Sequence, residues 1–190
     1  MILSEGLVLL RLLSPANRVR HRSARGLAIG LILCIQCFIS DLSIGATLQG
    51  EVVGIADGDT LTLLDSSKTQ YKIRLAGIDA PEKTQPFGNQ SRQALARLAF
   101  RQHVVVEWTK YDRYRRIIGK VRLDGHDLNL AQVTGGMAWH YKEYEREQTR
   151  LERSQYAAAE SKAREAREGL WRDPAPVPPW DFRHYKRAAR

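Results

Sequence analysis

Three short segments of the chain combine carboxylates with guanidinium groups. They are Asp57-Gly-Asp-Thr60, Arg74-Leu-Ala-Gly-Ile-Asp-Ala-Pro-Glu82 and Tyr111-Asp-Arg-Tyr-Arg-Arg116. Carboxylates hold hard cations and can act as general bases, and the planar fork of arginine matches the oxygens of a phosphate. Each segment alone has an ordinary structural explanation, such as a hairpin turn, a strand end or a solvated loop. Together they predict metal-assisted chemistry at a phosphate group.

The surrounding sequence predicts a small β-structure that positions these segments. Short Val/Ile/Leu/Thr-rich runs with partial alternation predict strands, and an interrupting run with apolar residues at helical spacing predicts a helix over residues 89–100. Turn sequences at 57–59 and 65–68 separate the first three strands. Short strands interrupted by a helix favour a closed or nearly closed barrel over a two-sheet sandwich. The predicted strands are 51–56, 60–64, 70–75, 104–108 and 117–123.

The remainder of the chain predicts two further helices and a tail. Residues 128–133 form a short helix that Gly135-Gly136 ends. Apolar positions three and four residues apart, from Tyr156 to Leu170, predict an amphipathic helix with a solvated charged face. The proline-rich segment Asp173–Trp180 is expected to be extended, with Trp180 and Phe182 against the domain.

The N-terminal residues differ in composition from the rest. A basic stretch, Arg18–Arg25, precedes the apolar run 26–39 and the small residues at 43–46, which is the order of a secretory signal peptide. Because the apolar run is shorter than the ~20 residues that usually span a bilayer, cleavage near Ala46 is favoured over an uncleaved membrane anchor. Cys34 and Cys37 both lie in this run and receive no function. We expect a leader at 1–46, a domain at 47–172 and a tail at 173–190.

The three segments, in this order and spacing, resemble the thermonuclease, or staphylococcal nuclease-like, family. The resemblance runs from about Gly50 to Trp171 through the phrases Asp-Gly-Asp-Thr, Arg-Leu-x-Gly-Ile-Asp-x-Pro-Glu and Asp-Arg-Tyr-x-Arg. It implies an α+β fold with an OB-type five-stranded barrel and about three helices. It also implies a calcium-dependent enzyme that cleaves DNA and RNA with little sequence specificity and leaves 3′-phosphates. The net charge of +9 agrees with a polyanionic partner, although an anionic membrane surface would fit as well.

The resemblance assigns a role to each matching residue. Asp59, Asp79 and the backbone carbonyl of Ala80 are implied metal ligands, Glu82 the general base, and Arg74 and Arg116 the phosphate-binding arginines. Arg113, Tyr114, Tyr141 and Tyr144 are implied substrate contacts. The chain departs from the family in having Ala80 where threonine is frequent and Arg115 where glycine is usual. The alternatives are a non-catalytic OB-type nucleic-acid-binding module and a structural envelope protein held by an uncleaved leader. A monomer is expected.

Overall fold

The strands predicted from the apolar runs form a closed barrel. The computed structural model describes residues 46–188. This part contains eight strands: β1 (Ala46–Asp57), β2 (Thr60–Leu64), β3 (Gln70–Leu75), β4 (Ile78–Asp79), β5 (His103–Tyr111), β6 (Ile117–Leu123), β7 (His126–Asp127) and β8 (Trp139–His140). The barrel strands pair antiparallel in the order β3-β2-β1-β5-β6, and parallel pairing of β3 with β6 closes the ring. The five-stranded α+β barrel is therefore confirmed.

Strand β1 is long because it pairs with different neighbours along its length. Residues 46–51 pair with β5, and residues 51–57 pair with β2. Register shifts in the second part let the strand bend around the barrel. The alternating apolar residues of β2 and β3 point inward and are almost completely buried, including Leu61, Leu63 and Ile73. This packing fixes the end of the barrel at which the acidic segments emerge.

Four α-helices lie in the described part: α1 (Gly88–Ala99), α2 (Leu128–Thr134), α3 (Arg150–Glu165) and α4 (Pro179–Ala188). Helix α1 contributes Leu95 and Ala99 to the barrel core. Helix α2 ends before Gly135-Gly136, as predicted, and Gly136 adopts a positive φ. Helix α3 begins with a capping box between Thr149 and Glu152. It ends earlier than its apolar pattern indicates, and Leu170 lies instead in a separate 3₁₀ turn, Gly169–Arg172.

Helix α4 corrects the C-terminal end of the segment that was expected to be extended, residues 173–180. The segment before Pro179 is not helical, but residues from Pro179 onward form a regular helix. Proline is favoured at the first helical position because its fixed φ suits the helix and its missing N–H has no partner there. Asp181 in the first turn and Lys186 and Arg187 in the last complement the helix dipole. Trp180 does pack against the domain, through Trp139 and Tyr141.

The proposed leader, residues 1–46, lies almost wholly outside the described residues. Among residues 46–188, none of the helices is long and apolar enough to cross a membrane.

Candidate active site

The turn between β1 and β2 positions the first candidate metal ligand. Asp59 is only 5% exposed. Its Oδ1 accepts a hydrogen bond from Thr60 Oγ1 at 3.0 Å, and its Oδ2 accepts one from the Ala80 backbone N–H at 2.7 Å. Gly58 is required beside it, because a Cβ atom there would lie 1.8 Å from Ser91 Oγ and 2.8 Å from the Ala80 Cβ. The turn is therefore packed tightly against the segment that carries the second aspartate.

Arg74, at the end of β3, joins the two aspartates. Its Nη2 lies 2.8 Å from Asp79 Oδ1 and 3.1 Å from Asp59 Oδ2. Its Nη1 donates to the backbone carbonyls of Leu75 at 2.8 Å and Ile78 at 2.9 Å. Burial by itself would lower the pKa of Arg74, but the two carboxylates outweigh it and raise that pKa. Arg74 thus carries a firmly held positive charge between the two aspartates.

Burial and neighbouring carboxylates make the acidic side chains around Arg74 costly to ionise, which favours a bound cation. Asp79 is 1% exposed, and burial raises its pKa although the neighbouring guanidinium groups oppose that shift. Burial, together with the adjacent Asp59, raises the pKa of Asp57 to about 7. Crowded carboxylates resist ionisation, and a cation among them relieves that cost.

Those oxygens suit a hard cation that keeps part of its hydration shell. Within residues 46–188, no group of three or more His, Cys, Asp or Glu side chains converges closely enough to hold a metal ion unaided. A site built from Asp59, Asp79 and a backbone carbonyl therefore needs water or substrate oxygens to complete its coordination, which is the open arrangement that calcium tolerates. The residues present fit such an ion.

Glu82 lies at the mouth of the same cleft. Pro81 precedes it, and a turn closed by hydrogen bonds between Glu82 and Gln85 fixes its backbone. Its side chain is 40% exposed, so water can reach the carboxylate. This combination of a fixed backbone and an accessible carboxylate suits a general base.

Asp112 shapes the loop between β5 and β6 and orients Arg116. Its Oδ1 accepts from the backbone N–H groups of Tyr114 and Arg116, both at 2.9 Å, and its Oδ2 accepts from Arg116 Nε at 2.7 Å. Burial would raise the pKa of Asp112, but these hydrogen bonds and the charge of Arg116 lower it overall. Arg116 is held through Nε, so its terminal nitrogens stay available. Arg115 adopts φ +60°, a left-handed conformation that explains why glycine is usual there.

Aromatic side chains line the rim of the cleft. The Arg113 guanidinium lies 4.9 Å from the Tyr114 ring centroid, and Tyr114 is 64% exposed. Tyr141 and Tyr144 follow β8 and meet edge to face at 5.0 Å. The Tyr141 hydroxyl donates to Glu143. Burial, followed by this hydrogen bond, raises the pKa of Tyr141.

All ten side chains or carbonyls singled out from the sequence line one cleft of about 620 Å³. They are Asp59, Arg74, Asp79, Ala80, Glu82, Arg113, Tyr114, Arg116, Tyr141 and Tyr144. The terminal nitrogens of Arg74 contact carboxylates and backbone carbonyls, and its role toward phosphate stays a prediction.

Two further residues in or beside this cleft were not identified from the sequence. Arg183 of α4 contacts Asp79 and Glu82, and Asp112 orients Arg116. The proline at the start of α4 and its charge distribution are the sequence signals that could have revealed the helix, although they do not predict where it docks.

Comparison with known proteins agrees with this geometry. Residues 72–173 match the model of the staphylococcal nuclease homologue family. The chain is 43% identical over 151 residues to the protein named ParB of Escherichia coli, an alignment that covers 73% of this chain and 80% of that protein. It is 40% identical over 153 residues to a protein of Shigella flexneri named micrococcal nuclease, covering 76% of this chain and 85% of the relative. An Escherichia coli protein named as an uncharacterized endonuclease is 39% identical over 142 residues, covering 74% and 88%.

Proposed function

The chain belongs to the staphylococcal nuclease family and is a nuclease, and from this premise we propose that it hydrolyses both DNA and RNA with calcium as its metal ion. The observation that carries the proposal is the cleft in which two buried aspartates, an accessible glutamate and two arginines meet. Every one of these groups has a use in phosphodiester hydrolysis.

The family is metal-dependent, and we choose calcium because the family resemblance implies it and the ligands agree with it. Asp59 and Asp79, with the backbone carbonyl of Ala80, would hold the ion. These are hard oxygen donors, and the small number of protein ligands suits a cation with flexible coordination. When bound, the ion supplies Lewis-acid polarisation of the phosphodiester.

The remaining steps belong to the side chains of the cleft. Glu82 orients an attacking water toward phosphorus and accepts a proton from that water. Arg116, held through its Nε by Asp112, donates from its terminal nitrogens to phosphate oxygens as negative charge develops. Arg74 lies beside the same centre and supplies a second fixed positive charge. The bond from phosphorus to the 5′ oxygen breaks, and the 5′ oxygen takes a proton from solvent water. The products are a 3′-phosphate and a 5′-hydroxyl, as the family resemblance implies.

The rim supports broad substrate tolerance. Tyr114 and Tyr144 are exposed aromatic side chains, and aromatic rings stack on any base because every base has a π-face. Arg113 adds a positive charge next to Tyr114. Contacts of this type bind nucleic acid without reading its sequence.

The alternative of a non-catalytic binding module conflicts with the charges in the cleft. Asp59, Asp79 and Glu82 would repel a phosphate backbone unless a cation intervened, and a module that only binds has no use for them. The acidic set therefore favours catalysis.

We further propose that the protein acts as a monomer outside the cytoplasm, after removal of residues 1–46. The order of basic, apolar and small residues in that segment supports the export, and a monomer is the default expectation. N-terminal sequencing of the protein recovered from its host should begin near Ala46 or Thr47. An intact N-terminus would instead favour a membrane anchor.

The decisive experiment measures cleavage of labelled single-stranded DNA and RNA by the purified protein. We expect cleavage of both in calcium, loss of cleavage in a chelator, and recovery when calcium is restored. End-group analysis should identify 3′-phosphates. A folded protein that cleaves neither substrate in calcium would refute the proposed function.

A further inference from the structure

The C-terminal helix inserts a guanidinium group among the catalytic carboxylates. Arg183 Nη2 lies 2.7 Å from Asp79 Oδ2, and its Nη1 lies 2.8 Å from Glu82 Oε1 and 3.3 Å from Asp79 Oδ1. Asp79 Oδ1 also accepts from Arg74 at 2.8 Å. Both oxygens of Asp79 are thus occupied by guanidinium groups, and the side chain of Arg183 remains 34% exposed.

Three contacts fix the start of this helix beside the cleft. The Trp180 ring stacks on the Tyr141 ring at 5.3 Å with an interplanar angle of 7°, and it meets Trp139 edge to face at 5.6 Å. Just before the helix, Gln85 Nε2 donates to the Val177 carbonyl at 2.5 Å. Trp180 and Arg183 lie three residues apart, so they project from the same side of α4. One anchored helix therefore delivers both side chains.

These two side chains lie where ligands of the proposed reaction would bind. Arg183 places a positive charge against two carboxylates: that of Asp79, the proposed metal ligand, and that of Glu82, the proposed general base. Trp180 covers a face of Tyr141, which a base would otherwise be able to use for stacking. Arg183 and a divalent cation would compete for Asp79 Oδ2, because like charges a few ångströms apart repel strongly at a site with little water, whereas Arg74 contacts Asp79 Oδ1.

We propose that residues 177–188 form an autoinhibitory strap, in which Arg183 occupies the cation position and Trp180 the base-stacking surface until the metal ion and the nucleic acid displace them. The proposal rests on the metal-dependent function argued above. It adds that the strap sets the calcium concentration at which the enzyme becomes active. Displacement is feasible because the side chain of Arg183 is 34% exposed, and because a cation that replaces it would neutralise the same buried carboxylate of Asp79.

The test compares calcium binding by the full-length wild-type chain and two variants, measured by isothermal titration calorimetry. Arg183→Gln removes the charge that competes for Asp79. Lys186→Gln is the matched control, because it removes one positive charge from the same helix at an exposed position outside the cleft. We expect Arg183→Gln to bind calcium about tenfold more tightly than wild type, and Lys186→Gln to stay within about twofold, since exposed charges are screened.

Amide hydrogen exchange supplies a second readout that does not depend on cleavage. Adding calcium to the wild-type protein should accelerate exchange in Pro179–Ala188, because the ion releases the strap. In the absence of calcium, Arg183→Gln should already exchange faster there than Lys186→Gln does. Circular dichroism establishes that each variant is folded.

The outcomes separate this inference from the function on which it rests. Tighter calcium binding by Arg183→Gln, with cleavage that saturates at lower calcium, supports the strap. Equal calcium affinities in wild type and Arg183→Gln, with cleavage intact, would overturn the strap and leave the nuclease function standing. Loss of cleavage in Arg183→Gln at unchanged calcium affinity would also overturn it, because Arg183 would then be a substrate-binding residue. Failure of all three proteins to bind calcium or to cleave would refute both proposals.

Discussion

Replacing Asp112 with asparagine should show how much activity depends on the orientation of Arg116, because the arginine itself is still present. Asparagine keeps an oxygen that can accept from the backbone N–H groups of Tyr114 and Arg116, so the loop retains its shape. It puts an amide NH₂ where Oδ2 now accepts from Arg116 Nε at 2.7 Å. Two donors then face each other, and the arginine side chain is released although its charge is still present.

The size of the effect follows from the freedom that Arg116 regains. A fully immobilised arginine side chain loses up to about 2 kcal/mol of rotamer entropy. Arg116 is 27% exposed and is therefore only partly immobilised, so we take its loss of rotamer entropy as about 1 kcal/mol. Binding the phosphate must then order the side chain again, and about 1 kcal/mol corresponds to a loss of about fivefold in kcat/KM. Arg116→Gln removes the donor itself and should cost about a hundredfold to a thousandfold.

The assay is steady-state cleavage of labelled single-stranded DNA at saturating calcium, with urea unfolding measured in parallel. Asp112→Asn should change the free energy of unfolding by less than about 1 kcal/mol. Asp112→Ala also loses the backbone hydrogen bonds and should cost about 2 kcal/mol. Asp124→Asn makes the same chemical change at an exposed turn and is the control. Wild-type kcat/KM in Asp112→Asn, or a loss as large as that of Arg116→Gln, would refute the argument.

Three further substitutions test other parts of the site. Glu82→Gln should retain nucleotide binding but lose about a hundredfold or more in kcat, because the amide cannot take a proton from water; equal turnover would exclude Glu82 as the base. Arg115→Gly should raise the free energy of unfolding by up to about 1 kcal/mol, measured in urea, since glycine tolerates the left-handed backbone at this position. Gln132 is 1% exposed and its Nε2 donates to the carbonyls of Gly58 at 2.7 Å and Ser91 at 3.2 Å. Gln132→Ala should therefore cost about 2 kcal/mol of stability and lower cleavage by loosening the turn that holds Asp59; an unchanged urea midpoint would show that these hydrogen bonds contribute nothing.

The barrel could be predicted because its strands carry a periodic signal. Leu61, Leu63, Ile73 and Leu75 alternate with more exposed residues and are the residues that the barrel buries. Helix α1 could be predicted for the same reason, since its apolar positions recur at helical spacing. Strands β4 and β8 were not predicted, because two residues are too few to show a period. They pair Asp79 with Trp139, which is far from it in sequence, so the pairing depends on the tertiary structure.

The residues of the cleft could be predicted, but their contacts could not. A motif match places Arg74, Asp79 and Glu82 in one site because the short segment between them leaves little choice. It says nothing about which oxygens Arg74 contacts, since that depends on the turn at Asp59, which is 15 residues away in sequence. The sequence shows Asp112 only as part of a motif, because its role follows from the local geometry of a loop in which Arg115 takes a positive φ.

The charges of the cleft explain why two arginines contact its carboxylates in this structure. Asp59, Asp79 and Glu82 bring three negative charges together, and Arg74 and Arg183 bring two positive ones. Without such partners, the burial of Asp79 would make its charged form costly. A divalent ion in place of Arg183 would balance the three carboxylates together with Arg74. The neutralising role of Arg183 would then be redundant, and Nη2 of Arg74 would be under less pull from Asp59 and Asp79. In this structure, the carboxylates attract Arg74 toward themselves. The cation that the reaction requires would weaken that attraction, so these contacts are compatible with the proposed role of Arg74 toward phosphate.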